Sequence, residues 1–182
     1  MSLHLILGPM FSGKTTTLVQ VYNKCIEEGK RVSVINFSGD TRYHDTMLST
    51  HDQEMIPCIQ ASTLSDVWSS HVTMNIHTAD VILINEGQFF QDIVDIVWSM
   101  VEEYDKTVYV CGLDGDFRRN TFGPLLQLVP LCDTVTKLSA KCHLCLNTAI
   151  FSHRLTAEQE QVLIGSNNYI PLCRPCYRRM NI

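Results

Sequence analysis

Gly8-Pro9-Met10-Phe11-Ser12-Gly13-Lys14-Thr15 spaces two glycines, a lysine and a threonine as G-x-x-x-x-G-K-T. That spacing can wrap a phosphate chain. The glycines let the backbone curl until successive N–H groups point inward as an anion nest. Lys14 is long enough to reach the β- and γ-phosphates of a nucleotide, and the Thr15 hydroxyl can ligate Mg2+. A loop can match this pattern by chance. Here the apolar run Leu3 to Leu7 precedes it and a helical pattern follows, which is the context the chemistry needs.

Cys142-His143-Leu144-Cys145 and Cys173-Arg174-Pro175-Cys176 are C-x2-C pairs separated by 27 residues, Leu146 to Leu172. Four thiolates suit a closed tetrahedral Zn2+ site with Zn–S near ~2.3 Å; with no open position its role is structural. The gap exceeds the about 15–20 residues of common zinc ribbons. A redox pair or four unrelated thiols are the other readings, but two such pairs in one short tail favour zinc, with His143 a bystander.

Glu86 closes the run Asp80-Val81-Ile82-Leu83-Ile84-Asn85-Glu86. A carboxylate where a strand leaves a sheet could take the proton of an attacking hydroxyl, or it could cap a helix. Met10, Phe89, Phe90, Phe117, Phe122 and Tyr169 could wall a flat base, although each alone fits a core as well. Arg118-Arg119 is a basic pair that reads as a solvated face, with phosphate contact as the alternative.

The elements that must position these groups alternate in type. Leu3–Leu7 is a short apolar strand, and Lys14–Glu28 a helix whose Leu18, Val21, Tyr22 and Cys25 form one stripe, ended by Gly29. Arg31–Phe37, Asp80–Glu86, Thr107–Leu113 and Val135–Leu138 read as further strands. Residues 38–57 are polar and aperiodic and read as a surface loop. Leu64, Val67, Trp68 and His71 give a helix with Thr63 as N-cap; Ile93 to Tyr104 give another. Leu125 to Val129 read as a short helix stopped by Pro130. The fold class is therefore α/β, an open, mainly parallel sheet flanked by helices. Such sheets bind ligands beyond the carboxyl ends of their strands, which draws the phosphate loop, 40–43, 85–88 and 114–117 to one edge. Composition shifts near Ser139, so we divide the chain into 1–138, a nucleotide-binding domain, and 139–182, a small zinc-binding domain.

The 182 residues are 45% hydrophobic, enough for one full core and an appendage. A net charge of −5 argues against a dedicated nucleic-acid binder. No apolar run reaches the ~20 residues that span a bilayer, and Met1 to His4 lead straight into a strand without a signal-peptide pattern. A soluble, cytoplasmic protein with neither nucleic-acid nor membrane partners is expected. Cys25, Cys58, Cys111 and Cys132 stand singly among mostly apolar neighbours and read as free thiols.

Taken together, G-P-M-F-S-G-K-T, D-T-R-Y at 40–43, T-H-D at 50–52, E-G-Q-F-F at 86–90, L-D-G-D-F-R-R at 113–119, L-V-P-L at 128–131 and the two C-x2-C pairs resemble the zinc-containing thymidine kinases of cytosolic and viral type, over nearly the whole chain. The compact ends look more like the viral members, which would place the protein in the host cytoplasm. The resemblance implies a P-loop NTPase-like fold with a C-terminal zinc-binding lasso. It implies transfer of the γ-phosphoryl group of ATP, with Mg2+, to the 5′-hydroxyl of thymidine, giving dTMP and ADP in deoxynucleotide salvage. Glu86 would be the base. Gly8 to Thr15 with Asp40 and Arg42 would bind ATP, with Thr15 and Asn85 at Mg2+. Met10, Gln88, Phe89, Leu113, Phe117, Phe122, Ser152, Leu163 and Tyr169 would surround the deoxynucleoside, and Cys142, Cys145, Cys173 and Cys176 would hold Zn2+. It also implies a homotetramer, a dimer being possible, and inhibition by dTTP.

Three departures from the family pattern stand out. Asn85 replaces the Asp usual before E-G-Q-F-F, so a neutral amide stands where a charge would serve the Mg2+ shell, and weaker metal binding with activity retained is expected. Asp116 and Arg118 replace Thr and Gln and could pair with each other. The stretch 164–169 is one residue short, which bears on the placement of Tyr169. A nucleic-acid-stimulated ATPase and a non-catalytic nucleotide sensor are the rival readings.

Overall fold

The computed structural model describes residues 1–39, 47–49, 54–69, 74–163, 165 and 167–181. The chain starts with strand β1 (Ser2–Leu7), enters helix α1 (Lys14–Glu27) and returns as β2 (Val32–Phe37). Inside the stretch expected to be loop lie β3 (Met47–Ser49) and β4 (Met55–Pro57), an antiparallel pair in which Leu48 faces Ile56. Strand β5 (Ile59–Ala61) follows, then α2 (Leu64–Trp68), α3 (Met74–Thr78), β6 (Val81–Ile84), α4 (Ile93–Trp98), β7 (Thr107–Gly112) and β8 (Thr134–Lys137). These strands form a six-stranded sheet in the order β5-β2-β6-β7-β1-β8, each neighbouring pair parallel. The expected α/β class and parallel sheet are observed. Three-residue β5 escaped the sequence because it is too short to show a period.

The apolar strand runs are explained by burial on both faces, the condition that removes alternation from parallel strands. Leu3, Leu5, Leu7, Ile35, Ile82, Ile84, Val108 and Val110 pack against Leu64, Trp68, Phe90, Ile93 and Leu125 on one side. Ile6, Val34, Leu83 and Cys111 meet Leu18, Val19 and Cys25 of α1 on the other. Beyond β8, short antiparallel pairs β9 (Ala140–Lys141) with β10 (Thr148–Ala149), and β11 (Phe151–Arg154) with β12 (Tyr169–Leu172), lead to α5 (Arg174–Met180). Cys142, Ala149, Ile170, Leu172, Cys173, Cys176 and Tyr177 form a core of their own there.

Two helical expectations change. The short helix after Leu125 does not stop before Pro130: a 3-10 helix covers Leu125–Leu131 with the proline inside it. The fixed φ of proline suits that turn, and buried Leu125 and Leu128 hold the segment on the core. After α4 the helix widens into a π-helical turn, Ser99–Glu103, closed by Tyr104 N–H donating to Ser99 O. His71 lies outside the described residues.

Thr63 is the expected N-cap, its hydroxyl accepting from Asp66 N at 3.3 Å. A second cap comes from Asp92, just ahead of α4: its carboxylate accepts from Leu64 N at 3.1 Å and Ser65 N at 2.8 Å. Burial pushes the Asp92 carboxyl up, but the Ser65 and Leu64 hydrogen bonds outweigh it and hold the carboxyl below its ordinary value. A depressed carboxyl adds stability above its unfolded pKa of about 3.9 and loses it as pH falls through the folded value. Asp92→Ala should lower stability at neutral pH by about 1–3 kcal/mol. In urea titrations the gap from the unsubstituted protein should narrow at the most acidic pH.

Candidate active site

The turn after β1 is built for close approach. Gly13, the N-cap of α1, has φ 81°, a left-handed conformation that a side chain would strain. A Cβ on Gly8 would lie 2.7 Å from Ser12 Oγ and 2.8 Å from Leu138 O. The Ser12 hydroxyl and the Lys14 ammonium both donate to the Pro9 carbonyl at 2.8 Å, so the loop closes on itself with Lys14 folded across it. Helix α1 starts at Lys14 and turns its positive end toward this loop.

Two strands away, β6 ends at Ile84 and the chain turns sharply. Glu86 takes φ 57° and ψ 41°, uncommon for a residue with a side chain. Gln88, 1% exposed, fixes the carboxylate: its Nε2 donates to Glu86 Oε2 at 2.6 Å, and its Oε1 accepts from Leu113 N at 3.0 Å. Asn85, 2% exposed, is held from both ends. Its Nδ2 donates to Asn36 Oδ1 at 2.7 Å, and the Cys111 thiol donates to its Oδ1 at 2.9 Å. Burial pushes the Cys111 thiol up to about 12; the negative charge of Glu86 adds to this and the Lys14 cation opposes it. That thiol therefore stays protonated and acts as a donor, and it senses both charged groups at once.

The phosphate loop and Glu86 open into one cleft of about 210 Å3. Met10, Phe11, Ser12, Gly13, Lys14 and Thr15 line it together with Asn85, Glu86 and Gln88. Phe89, Leu113, Phe117, Phe122, Ser152, Leu163 and Tyr169 complete the lining. Gly8 and Pro9 form the back of the loop, outside the cleft wall. Asp40 and Arg42 fall outside the described residues, as do 50–52 of T-H-D. Phe37 stacks on Phe89 at 4.8 Å, and Phe89 meets Phe122 edge-on at 5.3 Å, which gives a firm aromatic wall. Met10 N donates to Ser152 Oγ at 2.9 Å, tying the loop to β11.

Some neighbours of the cleft could not be read from the sequence. Phe37 and Gln161 line it, and buried Arg154 backs it, yet none carries a motif signature. Asp116 and Arg118 do not pair through their side chains. The Asp116 carboxylate instead accepts from the backbone N–H groups of Arg118 and Asn120 and from Gln161 Nε2. The Arg118 guanidinium lies over the Phe117 ring and donates to Gln159 Oε1.

The sulfurs of Cys142, Cys145, Cys173 and Cys176 all lie within 4.8 Å of one another. A tetrahedral thiolate site sets S···S near roughly 3.8 Å, and Cys145 Sγ is 3.5 Å from Cys173 Sγ and 3.6 Å from Cys176 Sγ. The four cysteines therefore fit a single metal ion. Burial opposes ionisation of Cys142, but backbone N–H groups of Cys173, Leu144 and Cys145 aimed at its sulfur hold the thiol below its ordinary value.

Comparison with known proteins adds a family. The "Thymidine kinase" family model matches residues 1–177. The thymidine kinase of Oryza sativa subsp. japonica is 41% identical over 177 residues, covering 96% of this chain and 65% of the relative. The cytosolic thymidine kinase of Gallus gallus is 40% identical over 176 residues, 96% of this chain and 76% of the relative. The thymidine kinase of vaccinia virus (strain Ankara) is 42% identical over 176 residues and 96% of each chain. The chain thus spans just under two thirds of the rice protein and nearly all of the viral one.

Asn85 lines the cleft as a neutral group beside Glu86. Asn85→Asp adds a charge there and should lower the Mg2+ concentration needed for half-maximal nucleotide turnover. An identical Mg2+ titration for the two proteins would remove Asn85 from the metal shell.

Proposed function

We propose that this chain, which belongs to the thymidine kinase family, moves the γ-phosphoryl group of ATP to the 5′-hydroxyl of thymidine, giving dTMP and ADP for deoxynucleotide salvage. The observation that carries this reading is that the phosphate loop and Glu86 face the same cleft.

Lys14 and the loop N–H groups hold the β- and γ-phosphates, Lys14 leaving the Pro9 carbonyl to do so. Thr15 and Asn85 would hold Mg2+, which would supply positive charge to offset that of the phosphates. Asp40 and Arg42 are assigned to the ATP side by family resemblance. Glu86, steadied by Gln88, accepts the proton of the 5′-hydroxyl. Met10, Phe89, Leu113, Phe117, Phe122, Ser152, Leu163 and Tyr169 enclose the nucleoside, and Gln88 acts there through its hold on Glu86 and on Leu113 N. Enclosure keeps water from the phosphate and limits wasteful hydrolysis. Residues 1–138 form the nucleotide-binding domain and 139–182 the lasso, whose four cysteines would hold Zn2+ as a structural cross-link.

A deoxynucleoside triphosphate such as dTTP joins, in one molecule, a phosphate chain for the loop and a nucleoside for the aromatic wall of the same cleft, which supports end-product inhibition. A homotetramer, or a dimer, and a cytoplasmic place follow the family. No described helix is long and apolar enough to cross a membrane.

Purified protein should form ADP only when thymidine is present, with deoxyuridine and deoxycytidine as comparison substrates. ADP release stimulated by DNA without thymidine would favour the nucleic-acid-dependent ATPase. Glu86→Gln should lower kcat roughly 10²- to 10⁴-fold while calorimetry shows nucleotide binding largely kept. Normal turnover in that variant would take Glu86 out of its role. Cys145→Ser, or a strong chelator, should release zinc measurable by a colorimetric dye and lower the unfolding temperature.

A further inference from the structure

Residues 156–163 have no regular secondary structure, and Gln161, Val162 and Leu163 at their end line the cleft. Among the described residues no backbone–backbone hydrogen bond ties this segment to itself or to the sheet; the bond nearest to it is Leu155 N to Asn168 O at 2.9 Å. Its order comes from side chains, chiefly one.

Arg154 ends β11, is 4% exposed, and faces Tyr169 directly across the β11–β12 ladder. Its Nη1 donates to the carbonyls of Glu158 at 3.0 Å and Glu160 at 2.5 Å, and its Nη2 to Gln161 O at 3.1 Å. Nε and Nη2 donate to the Tyr169 hydroxyl, which in turn donates to Leu163 O at 3.1 Å. The guanidinium carbon sits 3.8 Å from the centre of the Phe117 ring. The cation therefore satisfies its donors on carbonyls and a phenol, and its flat face on an aromatic ring that lines the cleft. Gln161 adds a second tie, donating to Asp116 Oδ2 and Thr121 O.

We propose that Arg154 is the positioning residue of the nucleoside half of the site: it coils 156–163 around its guanidinium, sets Leu163 and Phe117 at the cleft wall, and holds that wall to the 113–122 loop. The Tyr169 hydroxyl is then engaged as a relay to Leu163 O, and Tyr169 meets the ligand through its ring. This rests on the reading that this half of the cleft takes the nucleoside. Lysine keeps the charge but brings three donors on a single nitrogen, too compact to span these carbonyls and the phenol together.

The test compares the unsubstituted protein, Arg154→Met and Arg154→Lys by limited digestion with a glutamate-specific protease and by separate KM values for thymidine and ATP. In Arg154→Met, cleavage after Glu158 and Glu160, whose carbonyls Arg154 holds, should accelerate while hydrogen exchange in β1, β6 and β7 keeps its protection. The thymidine KM should rise roughly ten- to a hundredfold, with the ATP KM within about twofold. Arg154→Lys should fall between the unsubstituted protein and Arg154→Met. Unchanged cleavage of the 156–163 arm in Arg154→Met overturns the proposal, and so does faster cleavage with an unchanged thymidine KM. An equal KM rise for both substrates, or protection lost throughout the sheet in Arg154→Lys, marks a general folding role and also overturns it. If the unsubstituted protein shows no thymidine-dependent turnover, the functional reading fails by itself, and cleavage of the arm still decides whether Arg154 holds the wall.

Discussion

Because β1, β6 and β7 run in one direction, the turns that leave them open at one edge of the sheet. Strand β7 lies between the other two, so the phosphate loop and Glu86 stand about two strand spacings apart, about 10 Å. That separation lets one extended ligand reach both. The register is held by burial on both faces: Leu5, Ile82 and Val110 pack into one helical layer, and Ile6, Leu83 and Cys111 into the other. A shift of one residue would turn these side chains from one helical layer to the other. The distance between base and phosphate loop is thus set by the core, far from the reacting atoms.

At the edge itself, precision comes from polar groups with no freedom left. Beneath the cleft, Gln60, Asn36, Asn85 and Cys111 form a chain of neutral hydrogen bonds. Among the described residues no buried side-chain nitrogen or oxygen lacks a partner. An orphaned buried group would cost about 1–3 kcal/mol, so each member fixes the next. Gln88 extends the same logic to the carboxylate. Its amide joins the turn after β6 to the turn after β7, so Glu86 is oriented by two strand ends at once. The left-handed backbone at Glu86 is tolerated because those flanking contacts over-determine it.

How much of this could be read beforehand depended on whether a residue's role is local. The phosphate loop, Glu86 and the paired cysteines announce themselves because their chemistry needs neighbours at short, fixed spacing. The four middle strands were legible because burial on both faces makes them largely apolar, unbroken in β6 and interrupted by single polar residues in the others. Arg154 was not legible: a single arginine in a polar stretch reads as surface, and its carbonyl partners have no side-chain signature. Asp116 was noticed only as a departure from family pattern, and its natural partner looked like Arg118. A carboxylate so near two backbone N–H groups is taken first by them. Pro130 misled because a proline that ends an α-helix fits inside a 3-10 turn.

The arm shows why a cation was needed at all. In an α-helix carbonyls lie parallel to the axis, and along a strand they alternate in direction, so neither brings several carbonyls to one point. The carbonyls of Glu158, Glu160 and Gln161 do converge, and a guanidinium, with donors spread in a plane, is the side chain that can collect them. The arm is thereby ordered at its tip by an arginine and at its base by four clustered cysteines and the small apolar core around them, while 156–163 contribute no buried residue. Segments with few buried contacts open most readily. A wall of this kind can loosen to admit a ligand while the sheet that carries Lys14 and Glu86 stays fixed, because no backbone ladder connects 156–163 to that sheet among the described residues.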